Sequence, residues 1–138
     1  MSRILAIDFG QKKSGIAVTD ELRMIASPLT TVASSQLIDF LRKYFQEESV
    51  EIVVIGEPKT MDNKASDSTK YIQPFIGRLK KAFPDLIIER MDERFTSRMA
   101  FQTMIDGGLG KKARQNKELV DSISASLILQ SYMELKRI

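Results

Sequence analysis

The order of apolar and polar positions divides the chain into a group of short strands followed by alternating helices and strands. Strand-like apolar runs at Arg3–Phe9, Gly15–Thr19 and Ile25–Val32 are separated by short polar turns. Three closely spaced strands of this kind are typical of an antiparallel meander. Pro28 interrupts the third run, and proline is tolerated mainly in edge strands, so we expect that strand at the edge of a sheet.

After residue 33 the apolar positions change to helical spacing, interrupted by two further strand-like runs. The first predicted helix is capped by Ser34 or Ser35 and has an apolar stripe from Leu37 to Phe45, and the second spans Ser66–Phe83 with Pro74 in its first turns or at a kink. A third helix is predicted from Thr96 or Ser97 to about Gly107, and a last helix from about Lys117 to Lys136. The two predicted strands are Ile52–Ile55, before the second helix, and Leu86–Met91, after it. The residues expected to be buried in the last helix are Val120, Ile123, Leu127, Ile128 and Leu135.

The order βββ-α-β-α-β-α-α predicts an α/β fold with one mixed five-stranded sheet and helices on both faces. Strands 1 to 3 are expected to be antiparallel, and right-handed crossovers set strands 1, 4 and 5 parallel and adjacent. The length of 138 residues is sufficient for one domain, so we expect residues 1–138 to form a single domain.

The composition removes much of the chemistry that enzymes use. The chain contains no cysteine and no histidine, which excludes disulfides, thiol nucleophiles, thiolate or imidazole metal sites and triads that depend on histidine. Carboxylates without imidazole favour hard cations such as Mg²⁺ or Mn²⁺. No apolar run is long enough to span a membrane and no signal-peptide pattern opens the chain, so we expect a cytoplasmic protein without a membrane partner.

Several acidic residues are expected at one edge of the predicted sheet. Asp8 ends strand 1, Glu57 follows strand 4, and Asp92 and Glu93 follow strand 5. The carboxyl ends of parallel strands share an edge, and α/β proteins bind their ligands outside that edge. Asp121 lies in the opening turn of the last helix, beside its apolar face.

Each of these acids also has a simpler interpretation. A carboxylate after a buried strand is costly unless it is paired or bound to a metal, yet Asp8 could instead cap the turn at Gly10 through backbone amides. Glu57 fits a solvated loop acid, and Asp121 fits a favourable interaction with the helix dipole.

Basic residues follow the same strand ends. The cations of these segments are Lys12, Lys13, Arg94, Arg98, Lys111, Lys112, Arg114 and Lys117. Cations around an acidic pocket suit the phosphates of a nucleic acid. The net charge of +3 favours such a partner only slightly, and a solvated surface is the alternative for any one segment.

Four segments together resemble the YqgF/RuvX family. They are Ala6–Asp20 (AIDFGQKKSGIAVTD), the Ile55-Gly56-x-Pro58 corner, Asp92-Glu93-Arg94-x-Thr96 and Val120–Ala125 (VDSISA). The resemblance spans essentially the whole chain and keeps the order of the motifs. It implies the RNase H-like fold, a distant similarity to the RuvC Holliday-junction resolvases, and a nuclease that matures the 5′ end of pre-16S ribosomal RNA or, alternatively, resolves DNA junctions.

Carried over by position, the resemblance implies metal-binding and catalytic roles for Asp8, Asp121 and Glu93, or Asp92 in place of Glu93. We expect these carboxylates to hold two Mg²⁺ or Mn²⁺ ions in a two-metal endonuclease. The family usually has an apolar residue where this chain has Glu57, which either adds a ligand or has no role. The cations expected on the scissile strand are Lys12, Lys13 and Arg94, and those on flanking phosphates are Lys111, Lys112 and Arg114.

The expected partner is pre-rRNA or branched DNA, and the chain is expected to be a monomer or a homodimer. Junction resolution needs two coordinated cuts and therefore favours a symmetric dimer. Two other classes stay open. An actin-like ATPase would hold phosphate with a similar Asp-x-Gly turn but needs two such domains, and a non-catalytic RNA-binding or ribosome-assembly protein would keep the same fold and charges.

Overall fold

The structure is a computed structural model that describes residues 2–57, 69–92 and 117–136. In this part of the chain a single sheet is flanked by helices. The strands are β1 (Arg3–Asp8), β2 (Lys13–Thr19), β3 (Ala26–Ala33), β4 (Val50–Glu57) and β5 (Ile87–Asp92), and the helices are α1 (Leu37–Glu47), α2 (Thr69–Ala82) and α3 (Lys117–Lys136). The predicted helix between Thr96 and Gly107 lies outside the described residues.

The five strands form one sheet in the order β3-β2-β1-β4-β5. The pairs β1–β2 and β2–β3 are antiparallel, whereas β1–β4 and β4–β5 are parallel. The predicted mixed sheet is confirmed, with β3 and β5 at its edges. Pro28 lies opposite Ala17, next to a register shift between Ile16 and Ala17, and an edge strand with such an irregularity accommodates a residue that lacks an N–H group.

Alternation along β1 divides the core between the two faces of the sheet. Leu5 and Ile7 belong to an apolar cluster with α1 and α2, whereas Ile4 and Ala6 belong to a second cluster with α3. Helices therefore cover both faces, as predicted. Ala6 on β1 and Ala125 on α3 are both fully buried, and such small side chains let the helix lie close to the sheet.

The inner face of α3 matches the prediction only in part. Leu127 and Ile128 are buried, but Leu135 is 61% exposed, so its predicted burial is wrong. Tyr132 and Met133 are the last buried residues in the described part of α3, so the burial of the helix ends before its last turn. No described helix, including α3, is long and apolar enough to cross a membrane.

The last turns of α3 are also fixed to β5. Burial and a hydrogen bond with Glu89 raise the pKa of Tyr132 to about 12. Lys136 Nζ lies 3.7 Å from Oε2 of Glu89 and 5.7 Å from the centre of the Tyr132 ring. These contacts hold the carboxyl-terminal end of the helix against the middle of the edge strand.

Two local predictions are wrong. Neither Ser34 nor Ser35 caps α1, because both lie in a 3₁₀ turn (Ser34–Gln36) and α1 begins without a side-chain cap. The Ser34 hydroxyl instead donates a hydrogen bond to a distant carbonyl group. Glu57 is not a loop residue but the last residue of β4, because pairing with Asp92 on β5 extends the strand.

Candidate functional site

Asp8 ends β1, the central strand of the sheet, and is half-buried. It lies on the same face of β1 as Ala6, which is the face that α3 covers. Its register partners are Gly15 on β2 and Gly56 on β4. Residues paired in register share a face of the sheet, so the two positions directly opposite Asp8 are both occupied by glycine.

The carboxyl ends of β4 and β5 meet Asp8 at the same edge of the sheet. Asp8 pairs with Gly56, and the next residue of β4, Glu57, pairs with Asp92. The predicted convergence of the three parallel strand ends is therefore confirmed for the backbone. The side chains of Glu57 and Asp92, and the whole of Glu93, lie outside the described residues.

Alternation along β5 assigns position 92 to one face of the sheet. Ile88 packs in the cluster of α1 and α2, whereas Met91 packs in the cluster of α3. The strand pattern therefore assigns even-numbered positions of β5 to the α1 and α2 face. Position 92 belongs to the face opposite Asp8.

The direction of α3 relative to β1 decides which end of the helix approaches Asp8. Met133 lines a cleft with Met24 and Ile25, in the turn between β2 and β3, and with Ala26 at the start of β3. At the adjoining end of β2, the Thr19 hydroxyl accepts a hydrogen bond of 2.9 Å from the N–H group of Ile4, near the start of β1. The carboxyl-terminal turns of α3 thus lie near the start of β1, so its first turns lie toward the edge that carries Asp8.

Asp121 lies one helical turn before Ala125, which is fully buried. Residues four apart share a face of a helix, and one turn rises about 5.4 Å. Position 121 therefore belongs to the sheet-facing side of α3, near the edge of Asp8. The side chain of Asp121 lies outside the described residues, and its role as a ligand stays a prediction.

The described side chains alone do not make a complete metal site. Within residues 2–57, 69–92 and 117–136, no three histidine, cysteine, aspartate or glutamate side chains form a group that could hold a metal ion. Of the predicted ligands, only Asp8 belongs to the described side chains. The predicted set with Glu93 and Asp121 extends beyond them.

The segment after β1 is a tight turn that carries two exposed lysines, Lys12 and Lys13. Phe9 is buried and stacks on Phe75 of α2 with ring centres 4.8 Å apart, so it is a core residue. At Gly10, an added Cβ atom would lie 2.3 Å from the carbonyl oxygen of Lys13. Only glycine fits the turn in this form.

The sequence does not predict that two serines contact this turn. Ser14 and Ser34 are both buried, with their Oγ atoms 2.7 Å apart. They are separated by 20 residues along the chain. Because Ser34 precedes a helix, where serine is a common cap, the local pattern indicates a different role from the one observed.

Most of the other predicted cations are not among the described side chains. Lys117 begins α3, and its side chain lies outside the described part of the chain. The predicted cations that lie wholly outside are Arg94, Arg98, Lys111, Lys112 and Arg114. The basic segment at the edge of the sheet therefore consists, among described residues, of Lys12 and Lys13.

The sheet order, the helices on both faces and the acid at the end of the central strand define an α/β protein with the RNase H-like fold. A solved structure of RuvC from T. thermophilus, in complex with a Holliday junction substrate, has a TM-score of 0.61 with this chain at 16% sequence identity. The match covers 98% of this chain and 96% of that one. A second structure of Thermus thermophilus RuvC has a TM-score of 0.57 at 16% identity and covers 97% and 96% of the two chains.

The chain belongs to the RuvX family, whose model, described as RuvX: Holliday junction resolvase, matches residues 2–135. A protein of Flavobacterium psychrophilum is 62% identical over 136 residues, which cover 99% of each chain. A protein of Bacteroides fragilis is 55% identical over 138 residues, which cover 100% of each chain. Both relatives carry the name "Putative pre-16S rRNA nuclease". The resemblance seen in the sequence motifs is therefore confirmed.

Proposed function

We propose that this chain is a metal-dependent nuclease that hydrolyses phosphodiester bonds in the 5′ region of precursor 16S rRNA. The observation that carries the proposal is the position of Asp8, a half-buried carboxylate at the end of the central strand. Its register partners on the two neighbouring strands, Gly15 and Gly56, are both glycines. The names of the relatives supply the substrate class.

The available donors fit Mg²⁺ or Mn²⁺, because a chain without histidine and cysteine offers carboxylate oxygens as its charged ligands. We assign the ligands to Asp8, Glu93 and Asp121. Asp92, the last residue of β5, falls on the position that alternation assigns to the other face and is not expected to bind, so we choose Glu93 from this pair of acids. Two ions in such a site would supply positive charge to both the attacking water and the leaving 3′ oxygen.

The exposed lysines beside Asp8 suit the phosphates of the substrate. Lys12 and Lys13 lie in the turn between β1 and β2 and at the start of β2, at the edge where Asp8 lies. Lysine ammonium groups neutralise phosphates without reading bases, so they position the scissile strand rather than select its sequence. Arg94, which follows Glu93 in the sequence, is expected to act with them.

A cleavage assay with two substrates tests this proposal. Precursor 16S rRNA fragments and four-way DNA junctions are incubated with the chain in Mg²⁺, Mn²⁺ or EDTA. We expect metal-dependent cleavage of the precursor, and Asp8→Asn should lower its rate at least ~100-fold while RNA binding is largely retained.

The matched control is Asp85→Asn, because Asp85 is an exposed acid that lines a cleft with Ser2 and Val50, at the opposite edge of the sheet from Asp8. This variant should cleave like the wild type. Full activity of Asp8→Asn, or cleavage at an undiminished rate in EDTA, would reject the proposed mechanism.

A second candidate function is the resolution of four-way DNA junctions. The description of the family model and the similarity to RuvC bound to a junction favour it. Resolution predicts paired cuts in opposite strands and a symmetric dimer in solution. Cleavage of the junction without cleavage of the rRNA precursor would support this function, whereas RNA binding without cleavage in either metal would support a non-catalytic role.

A further inference from the structure

We propose that Ser14 and Ser34 are positioning residues for the nuclease reaction. Their hydroxyl groups hold the turn after Asp8, so that a substrate phosphate bound by Lys12 and Lys13 lies at the correct place relative to the carboxylate. The inference rests on the proposed function and adds to it two residues that do not contact the substrate.

The two serine hydroxyls bind both polar groups of the Gly10 backbone. Ser34 Oγ donates a hydrogen bond of 2.5 Å to the carbonyl oxygen of Gly10, and the N–H group of Gly10 donates to Ser14 Oγ at 3.4 Å. The two Oγ atoms lie 2.7 Å apart. A hydroxyl has one proton, and since Ser34 gives its proton to Gly10, Ser14 is the donor between the serines. The hydrogen bonds therefore form a closed ring.

The backbone of Ser34 holds the same turn at a second point. Its N–H group donates a hydrogen bond of 2.8 Å to the carbonyl oxygen of Lys12. Ser34 thus fixes position 10 with its side chain and position 12 with its main chain. A Cβ atom at Gly10 would clash with the carbonyl oxygen of Lys13, so a side chain at this position would displace the turn.

The ring lies on the opposite face of the sheet from Asp8. Ser14 shares a face of β2 with Ile16, which packs in the cluster of α1 and α2, whereas Asp8 lies on the α3 face. Ser14 is fully buried and Ser34 is 8% exposed. Neither serine is placed to contact a substrate at the Asp8 edge, so any effect on the reaction passes through the turn.

A contribution to folding stability alone is the competing explanation. In that case the serines would change activity only through the fraction of protein that is folded. Positioning predicts instead a lower turnover rate in fully folded protein, with little change in substrate binding. The two explanations therefore differ in kcat measured well below the unfolding temperature.

Four variants separate these explanations. Ser14→Ala and Ser34→Ala each open the ring, Ser34→Thr keeps a hydroxyl group, and Ser35→Ala is the matched control because Ser35 is the exposed neighbour. Each variant is assayed for kcat and KM on precursor rRNA, well below its unfolding midpoint. We expect each ring-opening variant to lower kcat by ~10- to 100-fold, since a displacement of about 1 Å can cost this much. KM should change less than about threefold, Ser34→Thr should recover most of kcat, and Ser35→Ala should match the wild type.

The double variant Ser14→Ala/Ser34→Ala gives an independent readout. Because either substitution opens the same ring, the double variant should lose no more kcat than the more affected single variant. Additive losses, or losses that follow the unfolded fraction, would overturn the inference.

Wild type and Asp8→Asn are assayed in the same series to separate the two levels of the proposal. An active wild type with an inactive Asp8→Asn, together with a Ser34→Ala variant as active as Ser35→Ala, would overturn the positioning role and leave the proposed function standing. A wild type that cleaves no substrate, or an unaffected Asp8→Asn, would overturn the proposed function and the positioning role with it.

Discussion

Substitution of glycine by alanine should have opposite effects at two positions of this chain. At Gly10, an added Cβ atom would lie 2.3 Å from the carbonyl oxygen and 3.6 Å from the carbonyl carbon of Lys13. Ordinary carbon–oxygen contacts lie at about 3.3 Å or more, so the turn has to open by about 1 Å. At Gly77, in α2, an added Cβ atom would meet no atom within 4 Å, and alanine would only reduce the flexibility of the unfolded chain.

The expected magnitudes follow from these two environments. Forcing an extra methyl group into a filled site costs about 1–3 kcal/mol, so Gly10→Ala should lower the free energy of unfolding by that amount. Alanine in place of glycine inside a helix stabilises by about 0.5–1 kcal/mol, so Gly77→Ala should raise it. Opening the turn beside Asp8 by about 1 Å should also slow cleavage at least ~10-fold in Gly10→Ala, whereas Gly77→Ala should cleave like the wild type.

Urea unfolding followed by circular dichroism gives the stabilities, and cleavage of precursor rRNA gives the rates. Both variants are measured against the wild type at the same temperature and metal concentration. A Gly10→Ala variant with wild-type stability and rate would refute the conclusion that the turn admits only glycine. Equal destabilisation by both substitutions would show that the local contact at Gly10 does not cause the effect.

Three further predictions concern the core, the pH dependence and the choice of ligand. Leu129→Ala should lower the free energy of unfolding by about 2–5 kcal/mol because Leu129 is fully buried. Leu135→Ala should change the free energy of unfolding by less than about 0.5 kcal/mol. Equal effects of the two substitutions in urea unfolding would contradict the packing of α3. The pKa of Tyr132 is raised from 10.0 to about 12, so the stability that its protonated form provides should be complete below pH 10 and should be lost as the pH rises to about 12. Tyr132→Phe should remove this part of the pH dependence of the free energy of unfolding. Identical pH profiles of stability in the two proteins would contradict this prediction. Glu93→Gln should reduce the cleavage rate at least ~100-fold, and Asp92→Asn should reduce it less than ~10-fold. The reverse order in the rRNA assay would contradict the choice of Glu93 over Asp92 as a ligand.

The architecture of the sheet follows from local patterns in the sequence. The apolar runs predict the five strands, and the helical segments between them predict the parallel arrangement of β1, β4 and β5 through right-handed crossovers. Pro28 alone indicates that β3 is an edge strand. These inferences succeed because each signal is local in the sequence: alternation and helical period depend on residues close together in the chain, and the missing N–H group belongs to proline itself.

The features that the sequence does not predict depend on contacts between distant residues. Ser34 resembles a helix cap, but a carbonyl group 24 residues away binds its hydroxyl group. Leu135 continues the apolar stripe of α3, but helical periodicity does not indicate where the burial of the helix ends. Glu57 follows an apolar run and precedes a proline, and only pairing with β5 extends the strand to include it.

The choice between Asp92 and Glu93 likewise depends on more than the local sequence. Both acids follow an apolar strand, and the sequence treats them as equivalent. The packing of Ile88 and Met91 on opposite faces of β5 assigns position 92 to the face away from Asp8. This assignment depends on how β5 packs in the sheet rather than on the local sequence.

Binding of Mn²⁺ to the wild type and to Asp8→Asn, measured by electron paramagnetic resonance of the free ion, tests most directly whether the end of the central strand holds metal. The wild type should bind up to two ions, and Asp8→Asn should weaken binding at least ~10-fold while remaining folded. Equal affinities in the two proteins, or no binding by the wild type, would contradict a metal site at Asp8.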